Sequence, residues 1–170
     1  MSDLMEITGL EKGGLYRHFA SKEEIAAEAF DYAWQAASDA RMGDLDEVPN
    51  SVDRLKRFVA NFAERSPAVP GGCPLLNTAV DADDGNPVLR KRARAALRGW
   101  MGRLAKIIRD GMDAGEIRRK VDAEKLATLI ISSLEGALMI SRLERDRESL
   151  ATVQSFLNSY LEMEVRVRTR

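Results

Sequence analysis

Lys12, Tyr16, Arg17, His18 and Lys22 lie close together near the start of the chain. Each can donate a hydrogen bond to a phosphate oxygen. Gly13 and Gly14 sit among them, and a glycine in a helix costs about 1 kcal/mol relative to alanine. A helix that keeps two glycines leaves its backbone bare for a close approach. The chemistry implied is contact with a polyanion, the alternative being an amphipathic hairpin with a solvated Lys/Arg face. Nothing nearby suggests catalysis: His18 is the only histidine, no nucleophile or metal partner lies near it, and there is no Gly-rich phosphate loop. No metal and no cofactor are expected.

Two further residues have reactive types. Cys73 is the single cysteine, which excludes an internal disulfide and a Cys-rich zinc site. It reads either as a small buried hydrophobe or as a sensor whose thiol pKa is lowered by the N-terminus of a helix opening at Pro74. Glu135 stands alone in an apolar run. It either faces a ligand cavity, since a buried carboxylate needs a partner, or points to solvent at a helix rim. The second reading is the one adopted here.

The elements that hold the polar cluster follow from local signals. Gly9 ends a short helix over 3–8 and turns the chain. The next helix carries Leu15 and Phe19 at i, i+4, one apolar face. Ser21 is an N-cap with Glu24 at capping-box spacing, and a long helix runs on to about Met42. Helix, glycine turn and second helix is the outline of a helix-turn-helix.

The run Gly9-Leu10, then Gly13-Gly14-Leu15-Tyr16-Arg17-His18-Phe19, then Ser21-Lys22-Glu23-Glu24-Ile25, resembles the recognition-helix signature of TetR-family transcriptional regulators. The resemblance implies that Glu11, Lys12, Gly13 and Gly14 face base edges and that Tyr16, His18 and Lys22 grip phosphates. It implies DNA as a partner once a first helix completes the head. Glu11 departs from the family's usual Ser or Thr; an acid there suits the helix dipole and can accept from cytosine N4. The family's first helix is expected to be missing, leaving a truncated head. Met1 to Asp31 also holds only Lys12, Arg17 and Lys22 as basic residues against seven acids, a weak electrostatic footprint for DNA.

Composition supports an all-α globular chain: 45% hydrophobic and 31% charged over 170 residues, with few prolines. No secretory signal is read in the charged segment Met1 to Phe30, and no apolar run is read as long enough to span a membrane. A cytoplasmic address and no membrane partner are therefore expected. Gly43 to Asn50 reads as a domain boundary, giving a truncated DNA-binding region with its linking helix over 1–42 and a ligand-binding and dimerisation domain over 43–170.

Beyond that boundary, Ser51 is expected to cap a helix with Val52, Leu55, Phe58, Val59 and Phe62 on one face. A break follows over Ser66 to Gly72, then a short helix from Pro74. A long helix from Pro87 to about Ala114 carries Leu89, Ala93, Ala96, Leu97, Trp100, Leu104, Ile107 and Ile108 as its buried stripe. Its arginines and lysines, Arg90 to Arg109, read as a solvated face balanced by Asp81, Asp83 and Asp84, with nucleic-acid binding as the alternative.

Leu126 to Leu143 is apolar nearly all round and needs two partners. With a last helix over 148–167 it matches by position the family's four-helix dimer interface, a homodimer through 122–143 and 148–167. An effector cavity is expected among Phe58, Phe62, Leu76, Trp100, Leu104 and Leu138, with Asn77 as orienting polar contact and Cys73 at its edge. The function implied is a ligand-responsive repressor, binding palindromic operator DNA as a homodimer and released by a small-molecule or electrophile effector. The alternative is a helical small-molecule-binding or dimerisation module that has lost DNA binding.

Overall fold

The computed structural model describes residues 5–7, 9–66, 69–82 and 85–168. Among them the chain is almost wholly helical, and extended pairing is limited to one bridge between Ile117 and Arg166. Residues 5–7 are helical, and Gly9 turns the chain at φ +66° while its N–H bonds back to the Met5 carbonyl at 2.9 Å. That left-handed conformation is one that glycine adopts without a Cβ clash.

Helix α1 spans Lys12–His18 and α2 spans Lys22–Met42. Ser21 Oγ accepts the Glu24 N–H at 3.1 Å, and the Glu24 carboxylate reaches back to the Ala20 N–H. The capping box therefore forms, with its return arm one residue earlier than usual. A 3-10 turn over Leu45–Glu47 leads to α3, Ser51–Glu64. The cap of α3 is Asn50 and not Ser51: Asn50 Oδ1 accepts the N–H groups of Val52 and Asp53 at 3.0 and 3.2 Å. Ser51 is buried instead at the crossing with the next long helix, where a Cβ on Gly111 would fall 2.6 Å from the Ser51 Cβ. Only glycine fits there.

Helix α4 spans Pro74–Asp81, α5 spans Pro87–Asp113, α6 spans Ala123–Glu144 and α7 spans Glu148–Tyr160. Asn86 and Asp122 cap α5 and α6 through their side chains. The last helix stops sooner than its apolar spacing suggests. At Leu161–Val165 it widens into a π turn, which brings Arg166 beside Ile117 and lets Arg118 N–H bond Val165 O at 2.9 Å.

Helix α5 is the central post, packed against α2, α3, α4 and α6. Its Trp100 is 2% exposed and meets Phe58 edge-on at 5.8 Å, Phe62 at 6.3 Å and Trp34 of α2 at 4.6 Å. Leu104 and Ile108 below it, with Phe58, Ile130, Leu134 and Leu157 from neighbouring helices, are fully buried.

The basic face of α5 is solvated, and among the described residues its ion pairs are with other acids. Arg92 pairs with Asp31 of α2, Arg103 with Asp46 at 3.1 Å, Lys106 with Asp110 at 2.6 Å, and Arg109 with Glu124 of α6. Asp83 and Asp84 lie outside the described residues. Helix α6 also corrects the membrane reading, since it is 22 residues long and holds an 18-residue stretch of mean hydropathy 1.5, long and apolar enough to cross a bilayer. Half of that stretch is buried against the protein's own core.

Candidate functional site

Helix α1 is held by little. Leu15, 5% exposed, is its buried residue, and Glu11, Lys12, Gly13, Tyr16, Arg17, His18 and Lys22 are exposed around it. Glu11 has the extended dihedrals of an N-cap, but its carboxylate makes no capping hydrogen bond. Among the described residues, a Cβ on Gly13 would meet nothing within 4 Å, and one on Gly14 would touch Leu10 at 3.7 Å. Packing against the described residues therefore demands neither glycine, with Gly13 exposed and Gly14 half-buried. Ile7 and Leu10 remain 83% and 44% exposed beside it; Leu4, an expected member of that apolar face, lies outside the described residues.

In the body, the expected cavity is filled. Phe58, Phe62 and Leu104 interdigitate with Trp100 and with one another, and Leu138 is 8% exposed in the same core. Large apolar residues from several helices did converge, but on each other. Trp100 is a tether as well: its Nε1–H donates to Ser38 Oγ of α2 at 3.2 Å, and its ring borders a surface groove between α2 and α5. Asn77 has a structural role too. Its Nδ2 donates to the Gly71 carbonyl at 2.9 Å, holding a turn in which Gly71 and Gly72 both take positive φ.

Several clefts open on the surface of these helices, and Trp100 and Asn77 each line one of them. A cleft of about 340 Å³ runs between α4, α5 and α6, lined by Leu75, Leu76, Ala79, Ala93, Leu97 and Ile131 with Arg90, Arg94 and Glu135. Of the expected ligand residues only Leu76 is among these. Glu135 is 9% exposed and does not point to solvent, which reverses the reading made from its sequence. Its Oε1 accepts a hydrogen bond from the Cys73 thiol at 2.9 Å. Burial raises the Glu135 pKa above the ordinary carboxylate range, opposed by the Cys73 hydrogen bond and by the charge of Arg41. Arg41, from the end of α2, is itself 7% exposed, with its guanidinium 4.2 Å from the Phe62 ring centre.

Cys73 is 1% exposed, and its thiol is pushed up to about 12, chiefly by burial and then by the nearby Glu135 charge. Arg41 and the Leu76 amide at the start of α4 act the other way, as a helix N-terminus should, but are outweighed. The thiol is neutral and shielded at ordinary pH. An electrophile sensor needs an accessible thiolate, so that expectation is withdrawn.

A family profile described as tetracyclin repressor-like, C-terminal domain, matches residues 51–157. The chain belongs to the TetR family. A TetR regulator from Chloroflexus aurantiacus superposes with TM-score 0.92 at 43% identity, covering 98% of this chain and 85% of that one. Another, from Cytophaga hutchinsonii, gives TM-score 0.92 at 33% identity, over 99% and 85% of the two chains. Among curated sequences, the HTH-type transcriptional repressor DhaR of a Mycobacterium species is 27% identical over 151 residues, 88% of this chain and 75% of DhaR. The TetR family and these relatives are DNA-binding transcriptional regulators, not enzymes.

Proposed function

We propose that this TetR-family chain is a cytoplasmic, ligand-responsive transcriptional repressor that binds palindromic operator DNA as a homodimer and is released by a small-molecule effector. The observation that carries the reading is α1, a short helix anchored by Leu15 with exposed phosphate donors and two glycines that packing against the described residues does not demand. In this reading Glu11 to Gly14 approach base edges while Tyr16, His18 and Lys22 hold phosphates.

Support for a dimer comes from the outer face of α6 and α7. Leu129, Ile140 and Leu143 of α6, with Phe156 of α7 and Met163 of the π turn after it, are 40–74% exposed, and large exposed apolar side chains on neighbouring helices favour a protein partner. Ser132, Ser133 and Gly136 lie between them, and a Cβ on Gly136 would meet nothing within 4 Å. A second copy has room to approach closely. Leu134 and Leu157 face the subunit's own core and take no part.

Support for effector response comes from Arg41. It belongs to α2, which carries the reading head over 1–42, and its charge acts on Glu135 in the wall of the cleft within the 43–170 body. A ligand that changes the charge around Glu135 is felt electrostatically by Arg41 at the end of α2. Coupling of that kind is reciprocal between ligand and DNA.

The test is a gel shift with the protein's own upstream DNA. A retarded band is expected, weakened by Tyr16→Phe or Lys22→Ala. No retardation at low salt would favour the second reading, a ligand-binding and dimerisation module without DNA binding, which the acidic excess over 1–31 supports.

A further inference from the structure

The cleft between α4, α5 and α6 has apolar inner walls, among them Leu76, Leu97 and Ile131. Glu135 borders it, but its carboxyl does not open into it: Oε1 accepts from the Cys73 thiol and Oε2 is buried. The charge that the cleft does offer is positive. Arg90 and Arg94 line it, both exposed, and with Ala93 and Leu97 they share one i, i+3, i+4, i+7 stripe of α5. The fold does not account for these two cations. Arg92, Arg103, Lys106 and Arg109 of the same helix each pair with an acid, whereas the guanidiniums of Arg90 and Arg94 make no ion pair or hydrogen bond among the described residues. Like charges at i, i+4 repel, and Arg90 closes the first turn of α5, where the helix dipole disfavours a cation. An anion held between them relieves both conflicts.

We propose that this cleft binds a small amphipathic anion, its apolar body against Leu76, Leu97 and Ile131 and its charged head on the guanidiniums of Arg90 and Arg94. The inference deepens the effector-responsive reading and rests on it for its biological consequence, though not for the binding itself. A carboxylate head suits the two arginines, since guanidinium and carboxylate pair through parallel N–H···O bonds. Burial of the apolar body supplies most of the affinity, because solvent-exposed ion pairs contribute little each. The head then decides selectivity. A neutral head forfeits both pairs, and an ammonium head meets two like charges. At about 340 Å³ the space is at the small end for ligand sites, which favours one short chain or ring over a large body. An anion there also changes the charge around Glu135, on which Arg41 of α2 acts.

Calorimetric titration of the intact protein with octanoate, octan-1-ol, octylammonium and acetate tests the proposal. Octanoate is expected to bind about tenfold more tightly than octanol, octylammonium more weakly than either, and acetate not at all. Arg90→Gln combined with Arg94→Gln, both at exposed positions, should bring octanoate to the level of octanol and leave octanol unchanged. Ala79→Trp, at an exposed position on the cleft wall, should abolish binding of both while leaving the thermal melt unchanged; the arginine change decides alone should that variant not fold. The proposal is overturned if octanoate binds no better than octanol or acetate, if its advantage survives the double arginine change, if octylammonium binds best, or if folded Ala79→Trp protein binds as before. Failure here with intact operator binding leaves the regulator reading standing. Octanoate binding that never alters operator affinity would sink the effector reading and leave the site.

Discussion

Helix α1 and helix α5 are built in opposite ways. Helix α1 buries Leu15 and exposes nearly everything else, whereas α5 buries Trp100, Leu104, Ile107 and Ile108 along one stripe and meets four other helices. A seven-residue helix with one buried side chain does not fix its own direction, since most helix stability in proteins comes from packing an apolar face. It is followed in the chain by α2. That helix is tied to the body by the Trp34–Trp100 contact, the Trp100–Ser38 hydrogen bond and the Asp31–Arg92 ion pair. The contrast separates an exposed helix with little packing of its own from a core helix that meets most of the others.

The largest expected effect lies in the core. Trp100→Ala removes the side chain that joins α2, α3 and α5, and should cost about 3–5 kcal/mol in equilibrium urea unfolding. Tyr16→Phe on α1 should change stability by no more than about 0.5 kcal/mol. Comparable losses from the two variants would break the contrast.

Next in size is the outer face of α6 and α7. Leu143→Arg combined with Phe156→Arg should give folded monomers in sedimentation velocity, because both residues are exposed in the subunit. Leu134→Arg should unfold the chain instead, since that position is fully buried. Dimers that survive the double change would place the subunit contact elsewhere.

A smaller effect is expected on the head. Lys22→Ala should weaken binding to all DNA sequences alike and reduce the slope of log affinity against log salt by about 1, with unchanged far-UV circular dichroism. A change confined to one base position would mean that Lys22 reads sequence and does not grip phosphate.

The smallest effect concerns Glu135. Its raised pKa in the fold means that the native protein holds the proton more tightly than the unfolded chain. The native state is therefore relatively favoured at low pH, and that advantage is lost as pH rises through the folded pKa. Glu135→Gln should raise the melting temperature at neutral pH, with the gain fading as pH falls toward the ordinary carboxylate value near 4.5. A constant gain at every pH would show that its charge is not the cause.

Much of this was legible in the sequence. The caps at Ser21 and Asp122, the prolines opening α4 and α5, and the 3.6-residue apolar period located the helices, because those signals are local. The family was legible from the dense motif over 9–25, which the match over 51–157 supports. The cleft was not. Periodicity identified Phe58, Phe62, Trp100 and Leu104 as inward-facing, but it does not distinguish side chains that fill a core from side chains that line a void. Glu135 was the available signal: an acid isolated in an apolar run is either at a rim or buried with a purpose. Only the Cys73 thiol at the start of α4, hydrogen-bonded to Glu135 of α6, decides between them. The cap at Asn50 was missed because Asn50 and Ser51 are both good capping residues and sit side by side.

The most direct test of the account is selection of double-stranded DNA from a random pool by the purified protein, followed by sequencing. The account predicts enrichment of a palindrome whose half-sites are read one DNA turn apart, about 34–36 Å, and its loss when Tyr16→Phe is combined with Lys22→Ala. No enrichment, or an enriched site without two-fold symmetry, would contradict it.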